Sequence, residues 1–145
     1  MGQKPFLTRW ILDPKTKTCS EEMLDDRPME FSRVHPDFDG KQHRFGYLLN
    51  DGRLNNYFKH DFEKSETIAH DFGESCQAAE PVFIPKKNAK SEDDGFVVGF
   101  VYDNTTDLSD FVILDAQNFS DAPLAKVTLP QRVPFGFHGS WINLD

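Results

Sequence analysis

Apolar and polar positions alternate in short runs along most of this chain, the two-residue period of strands that bury one face. Phe6–Leu12 mixes aromatic and branched side chains in that way and predicts a first strand. Asp13–Lys17 turns the chain, with Asp13 as a side-chain acceptor and Pro14 setting its own φ. Met29–Val34 predicts a second strand, stopped by Pro36 and Gly40, and Arg44–Leu49 a third, closed by Asn50-Asp51-Gly52. Leu54–Asp61 and Glu66–Phe72 read as a hairpin around Phe62–Ser65. Glu21–Asp26 is charged and without a clear period, compatible with a helical turn or a loop. Further on, Glu80–Pro85 predicts a short strand ended by proline, and Phe96–Tyr102 an apolar strand buried on both faces. Phe111–Asp115 and Leu124–Leu129 form one more pair. Almost nothing reads as helix, so the fold class is all-β.

These strands recur in a fixed order. A strand ending in aspartate (Asp13, Asp61, Asp115) is followed by a turn and a returning strand. Next comes a proline-marked strand carrying Glu30, Glu80 or His138. A period of roughly 50 residues lies in the range of β-propeller blades of four short antiparallel strands. A sandwich would also supply short strands, but would not place a polar residue at the same step each time. In a propeller the innermost strand of each blade lines the central channel. Glu30, Glu80 and His138 would then meet on the axis from three successive blades.

The last of these steps is unusual. In Val133–Trp141 a histidine sits between Gly136 and Gly139 among Phe135, Phe137 and Trp141, just after two prolines. Pro134 has a fixed φ and no N–H, and the glycines permit close backbone approach. His138 therefore needs partners from elsewhere in the chain. One reading is a buried histidine bonded to a backbone carbonyl; the other is a metal ligand, the role neutral imidazole fills most often. Buried carboxylates on the axis need a partner, and a metal-bound imidazole offers one through its second N–H. Alone, Glu30 would read as an exposed residue on an edge strand. Glu80, between Ala78-Ala79 and Val82-Phe83-Ile84, is harder to leave in solvent. His35, His43, His60 and His70 fall in turns, loops or a polar hairpin and read as solvated.

Composition narrows the classes. The net charge of −8 argues against nucleic acid, which needs a basic footprint. The one basic cluster, Pro85–Lys90, runs straight into Glu92-Asp93-Asp94 and reads as a solvated loop. Cys19 and Cys76 make neither a disulfide framework nor a thiolate zinc site, which points to a reducing, cytoplasmic setting. Met1–Pro5 lacks the apolar core of a signal peptide, and Phe6 stands where an acylation motif on Gly2 wants Ser or Thr. Fourteen phenylalanines in 145 residues suit sheets packed on sheets. No local ligand pair such as H-E-x-x-H is present, which disfavours zinc hydrolysis.

The order D-D-R-P-M-E-F-S-R-V, A-E-P-V-F-I-P, S-E-D-D-G-F-V-V and R-V-P-F-G-F-H-G resembles the C-terminal part of the carotenoid cleavage oxygenases. That family includes the retinal pigment epithelial isomerase and stilbene cleavage enzymes. The resemblance implies a seven-bladed propeller with ferrous iron, Fe(2+), on its axis, held by four histidines, three of them backed by glutamates. His138 matches the last ligand, and Glu30 and Glu80 match the two later supporting glutamates. The other ligands belong to upstream blades that this chain lacks. Residues 1–145 would form one partial propeller domain: about two blades and the closing inner strand of a third. The implied activity is cleavage of a conjugated C=C bond in a lipophilic polyene or stilbene with O2, the chain being inactive by itself. The rival reading is a non-catalytic propeller fragment acting as a binding or assembly module.

Overall fold

The structure, a computed structural model, describes residues 4–143. Met1–Gln3, which bear on the leader and acylation readings, lie outside the described residues, as do Leu144 and Asp145. The strands are β1 (Phe6–Asp13), β2 (Thr18–Arg33), β3 (Phe45–Asn50), β4 (Asn56–Asp61) and β5 (Glu66–Asp71). They continue with β6 (Cys76–Ala78), β7 (Val82–Pro85), β8 (Gly95–Asp103), β9 (Leu108–Asp115) and β10 (Ala125–Thr128). One 3-10 turn, Pro36–Phe38, lies between β2 and β3.

All strand pairs are antiparallel, in two sheets. The first has the order β1-β2-β3-β4-β5; in the second, β10-β9-β8 is joined by β6 and β7, both on β8. The long strand β2 serves two purposes. Its first half pairs with β1 as a hairpin, and its second half is the inner strand of the blade made with β3, β4 and β5. The second blade runs outward from β6 and β7 through β8 and β9 to β10. Glu21–Asp26 is thus strand, not helix or loop: Glu21 and Glu22 pair with Trp10 and Arg9 of β1.

The recurring aspartates build the turns. Asp13 accepts from the backbone N–H groups of Lys15 and Thr16, and Asp61 from those of Glu63 and Lys64. Lys17 and Ser65 then take the left-handed φ that returns the chain, at 56° and 54°. Asp115 does the same for Gln117 and Asn118, but opens a longer loop before β10. Asp103 repeats the short turn one step earlier, between β8 and β9, with Asp107 at φ 55°.

The core lies between the two blades. Tyr47, Leu49 and Tyr57 of the first meet Phe83, Val97, Val101, Val112, Leu114 and Phe119 of the second. Tyr47 stacks on Phe83 at 5.1 Å between centroids. Burying each such large side chain is worth about 1.5–3 kcal/mol. The acidic end of the 86–94 loop is not solvated. Glu92 accepts from the backbone N–H groups of Arg44 and Phe45, which open β3. Asp93 pairs with the buried Lys59 ammonium at 2.7 Å, and Lys59 also donates to the Ala116 carbonyl. The run clamps one blade to the other, while Lys87–Ser91 at its tip is exposed.

Candidate functional site

Both inner strands break their ladders at a glutamate. In β2 the register shifts between Glu30 and Arg33, and Phe31 there takes a φ of 54°, rare for an aromatic residue. Bulges of this kind re-aim side chains. In the second blade the inner strand is interrupted between β6 and β7, at Ala79–Pro81. Pro81, fully buried, has no N–H to continue the ladder. The Tyr57 hydroxyl reaches across from the first blade and donates to the Ala79 carbonyl at 2.8 Å. It can do so because residue 99 is glycine: a Cβ there would overlap that hydroxyl.

The gap turns Glu80 into the space between blades, where its side chain is 4% exposed. Three groups meet its carboxylate. The Arg33 guanidinium forms an ion pair with Nε 3.1 Å from Oε1, His138 Nδ1 bonds Oε1 at 3.1 Å, and the Gly139 N–H donates to Oε2 at 2.9 Å. The Arg33 guanidinium also donates to the Gly139 carbonyl. A carboxylate in a buried setting is tolerated when it is paired and hydrogen-bonded in this way.

His138 is the opposite case. Its side chain is 71% exposed, so the packed-histidine reading does not describe it. Ionised Glu80 can only accept, so the neutral ring carries its proton on Nδ1 and keeps a lone pair on Nε2. Nε2 has no hydrogen-bond partner among the described residues. The edge of the imidazole meets Phe31 at 5.8 Å between centroids. Beside it opens a cleft of about 380 Å³ lined by Val98, Phe100, Phe111, Phe137 and Trp141. Phe100 is partly exposed on this side, so β8 is not buried on both faces as its sequence suggests.

The structure therefore brings Glu80 and His138 together and leaves Glu30 apart. Glu30 is exposed, and its carboxylate has no hydrogen bond or ion pair among the described residues. Those residues hold no group of three or more His, Cys, Asp or Glu side chains arranged to bind a metal. The other histidines do not join the site, but three of them correct the sequence reading. His35, His60 and His70 are buried against aromatic edges: Phe83 and Phe38, Phe62, and Phe72. Burial pushes the His60 imidazole below its usual pKa despite Asp25 and Asp61 nearby, and does the same to His70 against the backbone of Phe119. Arg33 and Phe31 are the residues that sequence reasoning missed. One signal was available: a buried carboxylate needs a cation, and Arg33 is three residues past Glu30 on the neighbouring inner strand.

Residues 1–143 match the family described as retinal pigment epithelial membrane protein. The chain is 33% identical over 148 residues to the carotenoid cleavage oxygenase of Mycobacterium tuberculosis, covering 95% of this chain and 29% of that one. It is 34% identical to the zeaxanthin 7,8(7',8')-cleavage dioxygenase of Crocus sativus, covering 91% and 39%. In structure it superposes on cobalt-substituted Synechocystis apocarotenoid oxygenase with a TM-score of 0.91 at 30% identity, covering 95% of this chain and 30% of that one. It thus spans about three tenths of the length of most of the relatives it matches.

Proposed function

This chain belongs to the carotenoid cleavage oxygenase family, and on that premise we propose that it is the C-terminal part of a non-haem ferrous dioxygenase. The reaction is cleavage of a conjugated C=C bond with O2, and the substrate is a carotenoid, apocarotenoid or stilbene. The names of the relatives support a polyene substrate. The observation that carries the metal reading is the Glu80–His138 pair. A buried carboxylate holds the Nδ1 proton of a largely exposed imidazole whose Nε2 has no partner among the described residues. That is how a ligand histidine is prepared, since an outer carboxylate fixes tautomer and orientation and makes the ring more basic.

The donor chemistry fits ferrous iron, which imidazole suits. It fits as a share of a centre, because one imidazole does not hold an ion. In this reading His138 is one ligand, Glu80 supports it, and Glu30 supports a histidine from the preceding blades. When bound, the ion supplies the O2 chemistry that no side chain offers. The chain's own residues orient the group. Glu80 fixes the ring, Phe31 and Phe137 pack beside it, and the cleft lined by Val98, Phe100, Phe111 and Trp141 takes an apolar chain. The exposed Trp10, Leu12 and Met23 share one side of the β1–β2 hairpin, an apolar face of the kind preceding blades would cover.

Metal analysis with circular dichroism tests the reading. The 145-residue chain should hold no stoichiometric iron, and the full natural protein that carries it about one equivalent by the family pattern. His138→Ala should remove that iron with folding retained, because the ring is exposed. Full iron in a folded His138→Ala protein would overturn the assignment.

A further inference from the structure

The last backbone–backbone bond after β10 is the Leu129 N–H on the Ser109 carbonyl, so among the described residues 130–143 lack the backbone pairing that orients side chains elsewhere in this fold. Yet the backbone on the far side of His138 is fully engaged. The Gly139 N–H donates to Glu80 Oε2, and the Gly139 carbonyl accepts from the Arg33 guanidinium. Arg33 and Glu80 are themselves paired at 3.1 Å. Two side chains thus do for Gly139 what a neighbouring strand does in a ladder, taking both its donor and its acceptor.

We propose that Arg33 is a positioning residue for His138, acting through Glu80 and the Gly139 carbonyl; the inference rests on reading His138 as a ligand. Glu80 alone fixes the ring only as well as its own flexible side chain is fixed. Arg33 presents a planar guanidinium that pairs its charge with the carboxylate and donates to the Gly139 carbonyl, and so closes a ring of contacts around the histidine. It also holds the Glu80 carboxylate in place with Oε1 against Nδ1, so that the acceptor for the ring proton stays on that side of the imidazole. A lysine at 33 could supply the charge but, as a single point, not the bridge. A glutamine could supply a donor but not the charge.

The test uses the full natural protein that carries this chain, prepared metal-free, with Arg33→Ala, Arg33→Lys and Arg33→Gln variants. Nitrogen-15 spectra of the His138 ring, assigned by their loss in His138→Asn, read the tautomer at neutral pH. Hydrogen exchange reads the Gly139 amide. Wild type should show one tautomer, protonated at Nδ1. Arg33→Ala should mix the tautomers and speed Gly139 exchange about 10-fold or more, the scale of one lost charge-assisted hydrogen bond. Arg33→Lys should restore the tautomer but not the slow exchange; Arg33→Gln should restore neither in full. A purely structural arginine would change overall stability and leave the tautomer alone. Native tautomer and native exchange in folded Arg33→Ala would overturn the proposal. If Arg33→Ala does not fold, Arg33→Lys decides, since native exchange there removes the bridging role. Ferrous binding is measured separately. If wild type takes up no iron while the tautomer effect stands, the ligand reading fails and the positioning role survives.

Discussion

Glu30 and Glu80 occupy the same step of two successive blades, each at the point where an inner strand breaks its ladder, and they end in opposite environments. Glu80 is buried and meets Arg33, His138 and Gly139. Glu30 is exposed and meets no polar partner among the described residues. Position in the repeat does not separate them; the contents of the next blade do. The stretch after β10 brings Glu80 a histidine and an orienting glycine. The inner strand that follows Glu30 brings Glu80, already engaged. In the proposed whole protein Glu30 is completed from the other side, by a histidine of a preceding blade.

The strongest way to break this contrast is to restore that setting. In the full natural protein, Glu80→Gln and Glu30→Gln should each lower iron affinity by about 10- to 100-fold, the usual cost of an outer partner. Competition with a ferrous chelator measures it, with Glu63→Gln as the silent control. If Glu30→Gln is silent too, the repeat does not extend to function. A smaller effect appears in the 145-residue chain alone, where the two should part. Glu80→Gln leaves Arg33 without its anionic partner and should cost about 1–3 kcal/mol. Glu30→Gln, at an exposed site, should stay within about 0.5 kcal/mol. Urea midpoints at dilutions that keep the chain monomeric would show the split, and equal shifts would erase the contrast.

The smallest effect concerns the histidines that are buried where His138 is not. Burial lowers the pKa of His60 and His70, so between their folded and unfolded values the unfolded chain binds more protons. Their stabilisation is complete above about pH 6.5 and is lost as pH falls below it. Asp61, held at about 2 chiefly by the Arg44 guanidinium, adds a second decline as pH falls from the ordinary carboxylate value of 3.8 toward 2. Urea midpoints against pH should fall in those two stages, and Arg44→Met should shrink the second. A flat profile from pH 6.5 to 5 would mean the imidazoles are hydrated in the folded state.

Much of the fold was legible. Strands β1, β3, β4, β5, β7 and β8 lie where alternation or apolar runs predicted them, because side chains in a strand sort by a period of two. The aspartate turns at Asp13 and Asp61 were legible for an equally local reason, since their carboxylates bond N–H groups two and three residues on. The first half of β2 was not. Its acidic residues have no period and become strand by pairing with β1, as in Arg9 against Glu22. β6 is three residues long, too short to show a pattern. His60 and His70 looked solvated because their strand is polar, but each is closed over by an aromatic edge two residues on, Phe62 and Phe72.

By itself the sequence determined what is local: strand periods, turn chemistry, and a repeat that places Glu30, Glu80 and His138 at corresponding steps. Tertiary structure alone decided which carboxylate is satisfied. The partners of Glu80 lie 58 and 59 residues away at His138 and Gly139, with Arg33 on the other blade. No local pattern encodes those meetings. They exist because the apolar core between the sheets sets one blade against the next, and because Gly99 leaves room for Tyr57 to hold the broken inner strand at Ala79. Burial then makes an unpaired carboxylate costly, and the ion pair and two hydrogen bonds that gather on Glu80 are the physical answer to that cost.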